Sequence, residues 1–417
     1  MKKTRMCMIL TSFVLIGTIV LNLSGCATKI YAQDLMEGIT ANQVQPMEDA
    51  SDYNVDVTDF AVRLLQSGEK SGENTLLSPL SVLCALSMTA NGANGETLEQ
   101  MESVLGMTTD ELNRYLYTYL QNLPQGEDYK LSLANSIWFT EDERFTVNRD
   151  FLQANADYYG ASIYQAPFDD RTCKDINNWV KQNTDGMIPE ILDRIPEDAV
   201  MYLVNALAFE AEWPEVYEKN QVRDGTFTKE DGTKQDAELM YGDESIYLAD
   251  EYATGFMKKY KGEKYAFVAM LPNEGVSVSE YVASLQGDAL HEMLKNSQYC
   301  TVRTAIPKFE TEYDVEMSDI LKEMGMPIAF DADRADFSKL GTSTNGNVCI
   351  GRVLHKTFMS VGEKGTKAGA ATVVEMKCES AIVIDPKTVY LDRPFVYMLV
   401  DCENNIPFFI GTMMDIA

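Results

Sequence analysis

Only two histidines occur in the 417 residues, His291 and His355, so any mechanism that needs an imidazole has just two places to use one. Neither accompanies a Gly-x-Ser-x-Gly elbow, and His291-Glu292 is followed by no second histidine at zinc-helix spacing. The sequence contains no GxxxxGK phosphate loop and no GxGxxG dinucleotide turn. Asp331, Asp333 and Asp336 have the loose spacing of a calcium loop, but the glycine and closing glutamate fall in the wrong places, so the cluster reads as a solvated turn. Among 64 Asp and Glu a glycosidase-type carboxylate pair stays open without any one pair being singled out. These residues assign no catalytic group, no metal site and no cofactor, and the chain is read as not an enzyme.

Two other stretches do carry chemistry. The first begins with Lys2, Lys3 and Arg5, continues through an apolar run from Met6 to Leu23 and ends in Leu23-Ser24-Gly25-Cys26. This is the layout of a bacterial export signal with a lipobox: small residues leave room for the processing enzymes, and the Cys26 thiol takes the lipid. The expectation is therefore a signal peptide over 1–25 and a cell-surface protein anchored at Cys26 or released extracellularly, with membrane contact through the lipid alone. The blander alternatives are a plain signal peptide or a single membrane helix.

The second stretch, Val361 to Asp385, reads VGEKGTKAGAATVVEMKCESAIVID. Small residues dominate its opening, which leaves the backbone free to slide between neighbours. Its side chains then divide by parity: Thr366, Ala368, Ala370, Thr372, Val374, Met376 and Cys378 are uncharged, whereas Lys367, Glu375, Lys377 and Glu379 occupy odd positions. A period of two is a strand pattern with one face to a core, yet Gly and Ala hold a strand poorly and the pattern outruns an ordinary strand. Such a segment is suited to joining a sheet after the rest has folded.

The surrounding elements fit a large mixed body. A helix is predicted from about Asp56, with Val57, Phe60, Ala61, Leu64 and Leu65 on one face, and another after Ser78 and Pro79. Strand-like runs span 133–140, 201–210, 266–271, 300–309 and 395–401. The mixture indicates an α+β protein with substantial antiparallel sheet. Residues 26–52 are polar and weakly periodic, as in a solvated acidic tether, and 53–417 form one domain with no Pro, Gly or Ser-rich linker. Loss of Lys2, Lys3 and Arg5 with the signal takes the formal net charge from −29 to −32, which repels phosphates and excludes nucleic acid as a partner. Six cysteines beyond Cys26 are scattered without CxxC spacing and read as small apolar residues, not a disulfide framework. Cys378 is read as a small inward residue, the alternative being an exposed thiol under oxidative control.

At Glu363 through Ala371 the segment resembles the hinge of the serpin family: an acid, a charged residue, Gly, Thr, then small residues. The resemblance extends from about Tyr53 to Ile416. Asn74 with Ser78, Pro79 and Ser81, Leu203-Val204-Asn205 with Trp213, Ile306-Pro307-Lys308-Phe309, Asp336-Phe337-Ser338, Arg393-Pro394-Phe395 and Ile410-Gly411 follow in the family's order. It implies a serpin-like fold: a large central, mostly antiparallel sheet, further sheets, about eight to nine helices and an exposed reactive loop.

The resemblance further implies a monomeric serine protease inhibitor acting as a suicide substrate. Its hinge would be Glu363, Gly365, Thr366, Ala368, Gly369, Ala370, Ala371 and Thr372; Ser78, Ser81, Asn205 and His355 would form a polar shutter, and Trp213 would mark the breach. Counting seventeen residues from Glu363 puts the cut bond at Glu379-Ser380, but the span to Pro394 and Phe395 is a few residues longer than usual in the family, and counting backward moves it toward Ala381, Ile382 or Val383. Glu379 would call for a glutamate-preferring protease; the aliphatic positions, which are favoured, suit an elastase-like or subtilisin-like pocket. Lys367 stands where the family more often has an acid. The rival readings are a serpin-like binding module without inhibitory action and a surface lipoprotein hydrolase.

Overall fold

The computed structural model describes residues 29–416 apart from 125, 142–144, 196–200, 345 and 367–385. Along the chain run β1 (Gln33–Asp34), α1 (Asn54–Gly68), β2 (Thr75–Leu77), α2 (Pro79–Ala90), α3 (Gly95–Leu105) and α4 (Thr109–Asn122). Next come β3 (Tyr129–Thr140), β4 (Phe145–Val147), α5 (Arg149–Tyr159), β5 (Ser162–Ala166), α6 (Asp170–Asn183) and β6 (Met201–Glu212). The second half holds β7 (Val222–Thr228), β8 (Lys234–Ala249), β9 (Ala253–Lys259), β10 (Tyr265–Pro272), α7 (Val278–Ser284), α8 (Gly287–Lys295), β11 (Gln298–Pro307), β12 (Phe309–Glu316) and α9 (Ser318–Met324). It closes with β13 (Gly341–Ser343), β14 (Arg352–Gly362), β15 (Gly365–Thr366), β16 (Lys387–Tyr390), β17 (Phe395–Asp401) and β18 (Ile406–Met413).

Helix α1 starts at Asn54 and buries Val57, Phe60, Ala61, Leu64 and Leu65, the face its periodicity marks. Helix α2 opens as Ser78-Pro79 dictates: the Ser78 hydroxyl accepts the Ser81 N–H, and proline fills the first turn, where its missing donor costs nothing. The apolar run 300–309 is two strands, broken at Lys308, where the chain passes from one sheet to the other.

Two large sheets result. The seven-stranded sheet has the order β1-β5-β3-β6-β15-β14-β12, and the nine-stranded one contains β16-β11-β8-β9-β10-β17-β18-β2 with β7 on β8. The fold is α+β as expected, with mixed sheets: β3–β5 and β6–β14 are parallel pairs in an otherwise antiparallel central sheet. Both faces of β6 are buried, Leu203, Leu207 and Phe209 in the main core and Tyr202, Val204 and Ala206 in a smaller core beneath α6.

Residues 29–50 differ from the solvated tether expected over 26–52. Leu35, Met36, Ile39 and Met47 pack against the main core, β1 pairs with β5, and side chains of the body take up the strap's backbone donors. Asp175 accepts Tyr31 N and Ala32 N at 2.8 and 2.9 Å, Asp157 accepts Asn42 N at 2.7 Å, and Thr118 accepts Met47 N at 2.8 Å. The aperiodic apolar residues fill grooves one at a time, so they give no helix or strand pattern by which to find them.

Candidate functional site

The central sheet parts between β6 and β14. Their direct parallel ladder runs from Tyr202–Arg352 to Leu207–Thr357; at their upper ends both strands pair instead with β15, Thr366 facing Ala211 and Val361, Gly365 facing Glu212 and Gly362. Two residues of the sequence-predicted hinge thus already sit as a short strand in the cleft. Gly365 has φ +145°, and a Cβ there would lie 2.0 Å from the Ala211 carbonyl oxygen, so only glycine fits. Thr366 is 1% exposed and shares a hydrogen bond with the Tyr260 hydroxyl, so its side chain faces the core as even parity required.

Trp213 forms the floor of this cleft. Its indole donates to the Gly362 carbonyl at 2.9 Å, its backbone N–H donates to Lys364 O at 2.8 Å, and its ring stacks on Tyr260 with centroids 4.4 Å apart. Under the rings Lys258 lies 5.1 Å from Trp213 and 4.9 Å from Tyr217, and pairs with Glu244 at 2.6 Å. Burial alone would lower Lys258, but Glu244 and Tyr217 outweigh it and hold the ammonium above its ordinary value. At the rim Lys308 bridges Glu238 and Glu363, each at 2.9 Å, and this bond holds the Glu363 carboxyl below its usual range.

Lower in the sheet, where β6 and β14 still touch, Ser78, Ser81, Asn205 and His355 come together, all wholly buried. His355 Nε2 accepts the Ser78 backbone N–H at 3.1 Å, which leaves the proton on Nδ1; that nitrogen donates to Asn205 Oδ1 at 2.6 Å. Asn205 Oδ1 also accepts from the Ser81 hydroxyl at 3.1 Å. Burial lowers the His355 pKa to about 3. A Ser, His and Asn in contact resemble a hydrolytic triad, but the imidazole receives a main-chain donor, and no substrate can reach the group. The Asn205 amide nitrogen and the Asn135 oxygen, on residues in register across β6 and β3, are both buried without a hydrogen-bond partner. His291 is packed on Thr58, 3.4 Å away, and burial lowers its pKa.

Residues 56–416 match the model described as serpin (serine protease inhibitor). The chain belongs to the serpin family. Members of this family are in general protease inhibitors and not enzymes. The serpin superposes on the thermophilic serpin tengpin in its native state with TM-score 0.88 and 47% identity, covering 92% of this chain and 99% of that one; against tengpin in its latent state the score is 0.79 at 44% identity, covering 90% and 100%. It is 30% identical to Serpin B8 of Homo sapiens over 84% of this chain and 96% of that one, and 29% identical to a serpin-like protein of Thermococcus kodakarensis over 86% and 84%.

Of the residues singled out from sequence, Glu363, Gly365, Thr366 and Trp213 gather at the top of the slot, and Ser78, Ser81, Asn205 and His355 at its lower part. Ala368, Gly369, Ala370, Ala371, Thr372, Cys378, Glu379, Ser380, Ala381, Ile382, Val383 and Cys26 lie outside the described residues. Sequence reasoning missed Tyr260, Lys258, Glu244 and the bridge from Lys308 to Glu363. Lys258 and Glu244 are common residues in ordinary strands, Tyr260, Lys308 and Glu363 lie just past strand ends, and only the fold brings them together. Asp331 and Asp333 do form a turn, Asp331 accepting Asp333 N at 2.9 Å, while Asp336 joins Asn94 and Ser338. Among the described residues, no group of three or more potential ligands is placed to hold a metal, and no helix is long and apolar enough to cross a membrane.

Proposed function

We propose that this serpin inhibits serine proteases by offering the loop after Thr366 as bait and, once cut, drawing that loop into the slot between β6 and β14. The protein would be exported, lipidated at Cys26 and monomeric. One observation carries the mechanism: Gly365 and Thr366 already lie between the two strands, antiparallel to both, which supports further insertion in the same register. Carrying it onward brings Ala368 opposite Phe209, Ala370 opposite Leu207 and Thr372 between Asn205 and His355. Small, uncharged residues thus meet the buried face, and charges meet the other.

Insertion must break the six-pair ladder from Tyr202–Arg352 to Leu207–Thr357 and the 2.6 Å bond from His355 to Asn205. In exchange both strands gain a new antiparallel neighbour. Strand addition, of which serpin loop insertion is a standing instance, gains roughly 1 kcal/mol net per backbone bond and about 25 cal/mol per Å² of apolar burial. About a dozen added residues therefore yield on the order of 10 kcal/mol. That equals a domain's stability and is enough to deform an acyl-enzyme before water releases it. The orphan Asn205 amide favours the same direction: a buried unpaired donor costs about 1–3 kcal/mol, and a Thr372 hydroxyl in register could satisfy it.

The protease is proposed to be elastase-like or subtilisin-like, cutting among Ala381 to Val383, with Glu379-Ser380 the other candidate. Incubation with elastase, subtilisin and a glutamate-specific protease tests this on denaturing gels, with mass spectrometry of the released C-terminal peptide locating the bond. A covalent complex and a cleaved product that melts well above the intact protein are expected. Cleavage with neither would overturn the mechanism.

A further inference from the structure

The strap of residues 29–50 fixes where an anchor must leave the body. Gln33 and Asp34 pair with Gln165 and Tyr164 of β5, which stand in register with Phe139 and Trp138 of β3 and so with Met201 and Tyr202 at the start of β6. Asp175 pins Tyr31 and Ala32 beside them. The hinge enters at Ala211 and Glu212, the opposite end of the same strand. At about 3.3 Å per residue these two poles of β6 are roughly 33–36 Å apart.

Insertion runs antiparallel to β6, from the hinge pole toward the strap pole. In the proposed register position 375 reaches the level of Tyr202 and Arg352, and every candidate cleavage position lies beyond it. A protease esterified to the severed end would therefore finish at the pole where the strap exits. The lateral offset is small: from the slot, β6, β3 and β5 precede β1, about 15–19 Å at the usual strand spacing. A protease of about 240 residues is roughly 45 Å across and covers that distance.

We infer that this serpin, anchored at Cys26, holds its loop away from the membrane and that trapping carries the protease down to the lipid surface, with the docked strap setting the orientation. The inference rests on the inhibitory and lipidation readings proposed above. The strap is what makes it specific. A free tether over 26–50 would wander about 27 Å and impose no orientation, whereas the three steps from Cys26 to Lys29 span about 11 Å at most. The captured protease would be pressed against the bilayer, removed from soluble substrates as well as inactivated.

Energy transfer between the trapped protease and the lipid tests this. The mature chain, with a polyhistidine handle in place of Cys26, is loaded on vesicles containing nickel-chelating lipid and a membrane acceptor dye, then mixed with donor-labelled subtilisin or elastase. Transfer is expected to rise several-fold as the covalent complex forms. A flexible spacer of about 25 residues ahead of Lys29 is expected to abolish most of the rise, since the anchor then wanders over tens of ångströms. A covalent band on the gel without a change in transfer overturns the inference alone. So does a rise that the spacer leaves intact. Absence of the band overturns the inhibitory reading, and this inference with it.

Discussion

Thr366→Arg separates the two states this protein is proposed to adopt. In the intact molecule Thr366 is buried against Tyr260, and among the described residues only Gly365 and Thr366 pair as β15. An arginine there can swing out with its two-residue strand. The loss is limited to the Thr366–Tyr260 bond, about 1 kcal/mol, and the orphaned hydroxyl, about 1–3 kcal/mol. After insertion the same position would be locked by strand on both sides, and an unpaired guanidinium buried there costs several kcal/mol. Each 1.4 kcal/mol added to the insertion barrier slows it about tenfold, while deacylation of the protease is untouched. Two or three such steps turn a partition dominated by trapping into one dominated by turnover. The variant should therefore fold, melt within a few degrees of the parent and be cleaved at the same bond, yet give little covalent complex on denaturing gels. Lys364→Gln, altering an exposed side chain two residues earlier, should trap normally. An undiminished complex from Thr366→Arg, or equal loss from Lys364→Gln, would refute the register.

Three further outcomes follow from the same geometry. Gly365→Ala places a Cβ 2.0 Å from Ala211 O, so β15 should leave the cleft, and hydrogen exchange at the upper end of β6 should rise with a lower yield of complex. Trp213→Phe removes the 2.9 Å bond to Gly362 O, worth about 1 kcal/mol, and calorimetry should show a melting point lower by a few degrees. His355 is neutral in the fold down to about pH 3, whereas in the unfolded chain it protonates near its ordinary 6.5, so the unfolded state binds the extra proton between those values and stability falls as pH drops through that window. The slope approaches 1.4 kcal/mol per pH unit for this one group, and urea titrations from pH 7 to 4.5 should show it shallower by one proton in His355→Gln.

Residues that act through their own backbone or through parity were legible from sequence. The inward face of Thr366, the Ser78-Pro79 helix start and the strand around Asn205 each carry a local signature, and the mixture of helical and strand runs indicated the α+β class. What stayed hidden depends on long-range placement. Tyr260, directly after β9, bonds Thr366, Lys258 of β9 lies against Trp213, and Glu244 joins Lys258 from the neighbouring β8. No spacing along the chain records that. The strap was misjudged for a related reason: Leu35, Met36 and Ile39 are too few and too irregular to signal an element, yet a preformed groove gives each a site, and Asp175 and Asp157 supply the hydrogen bonds that make docking tolerable.

The hinge and the shutter behave as one device because a single strand pair joins them. β6 and β14 are held together below by His355 and Asn205 and held apart above by β15, so on the proposed mechanism each residue entering from position 370 onward unpairs one rung of the direct ladder beneath it. The first rungs to yield, Leu207–Thr357 and Ala206–Lys356, carry no side-chain bond across the slot, whereas Asn205–His355 does, with Ser78 and Ser81 attached to it. Resistance therefore concentrates about six residues into the insertion, at the level where Thr372 would arrive with a hydroxyl to replace what it breaks. On the proposed mechanism a loop still joined to β16 is held at that barrier and a severed one is not, which makes the protease's own cut the trigger.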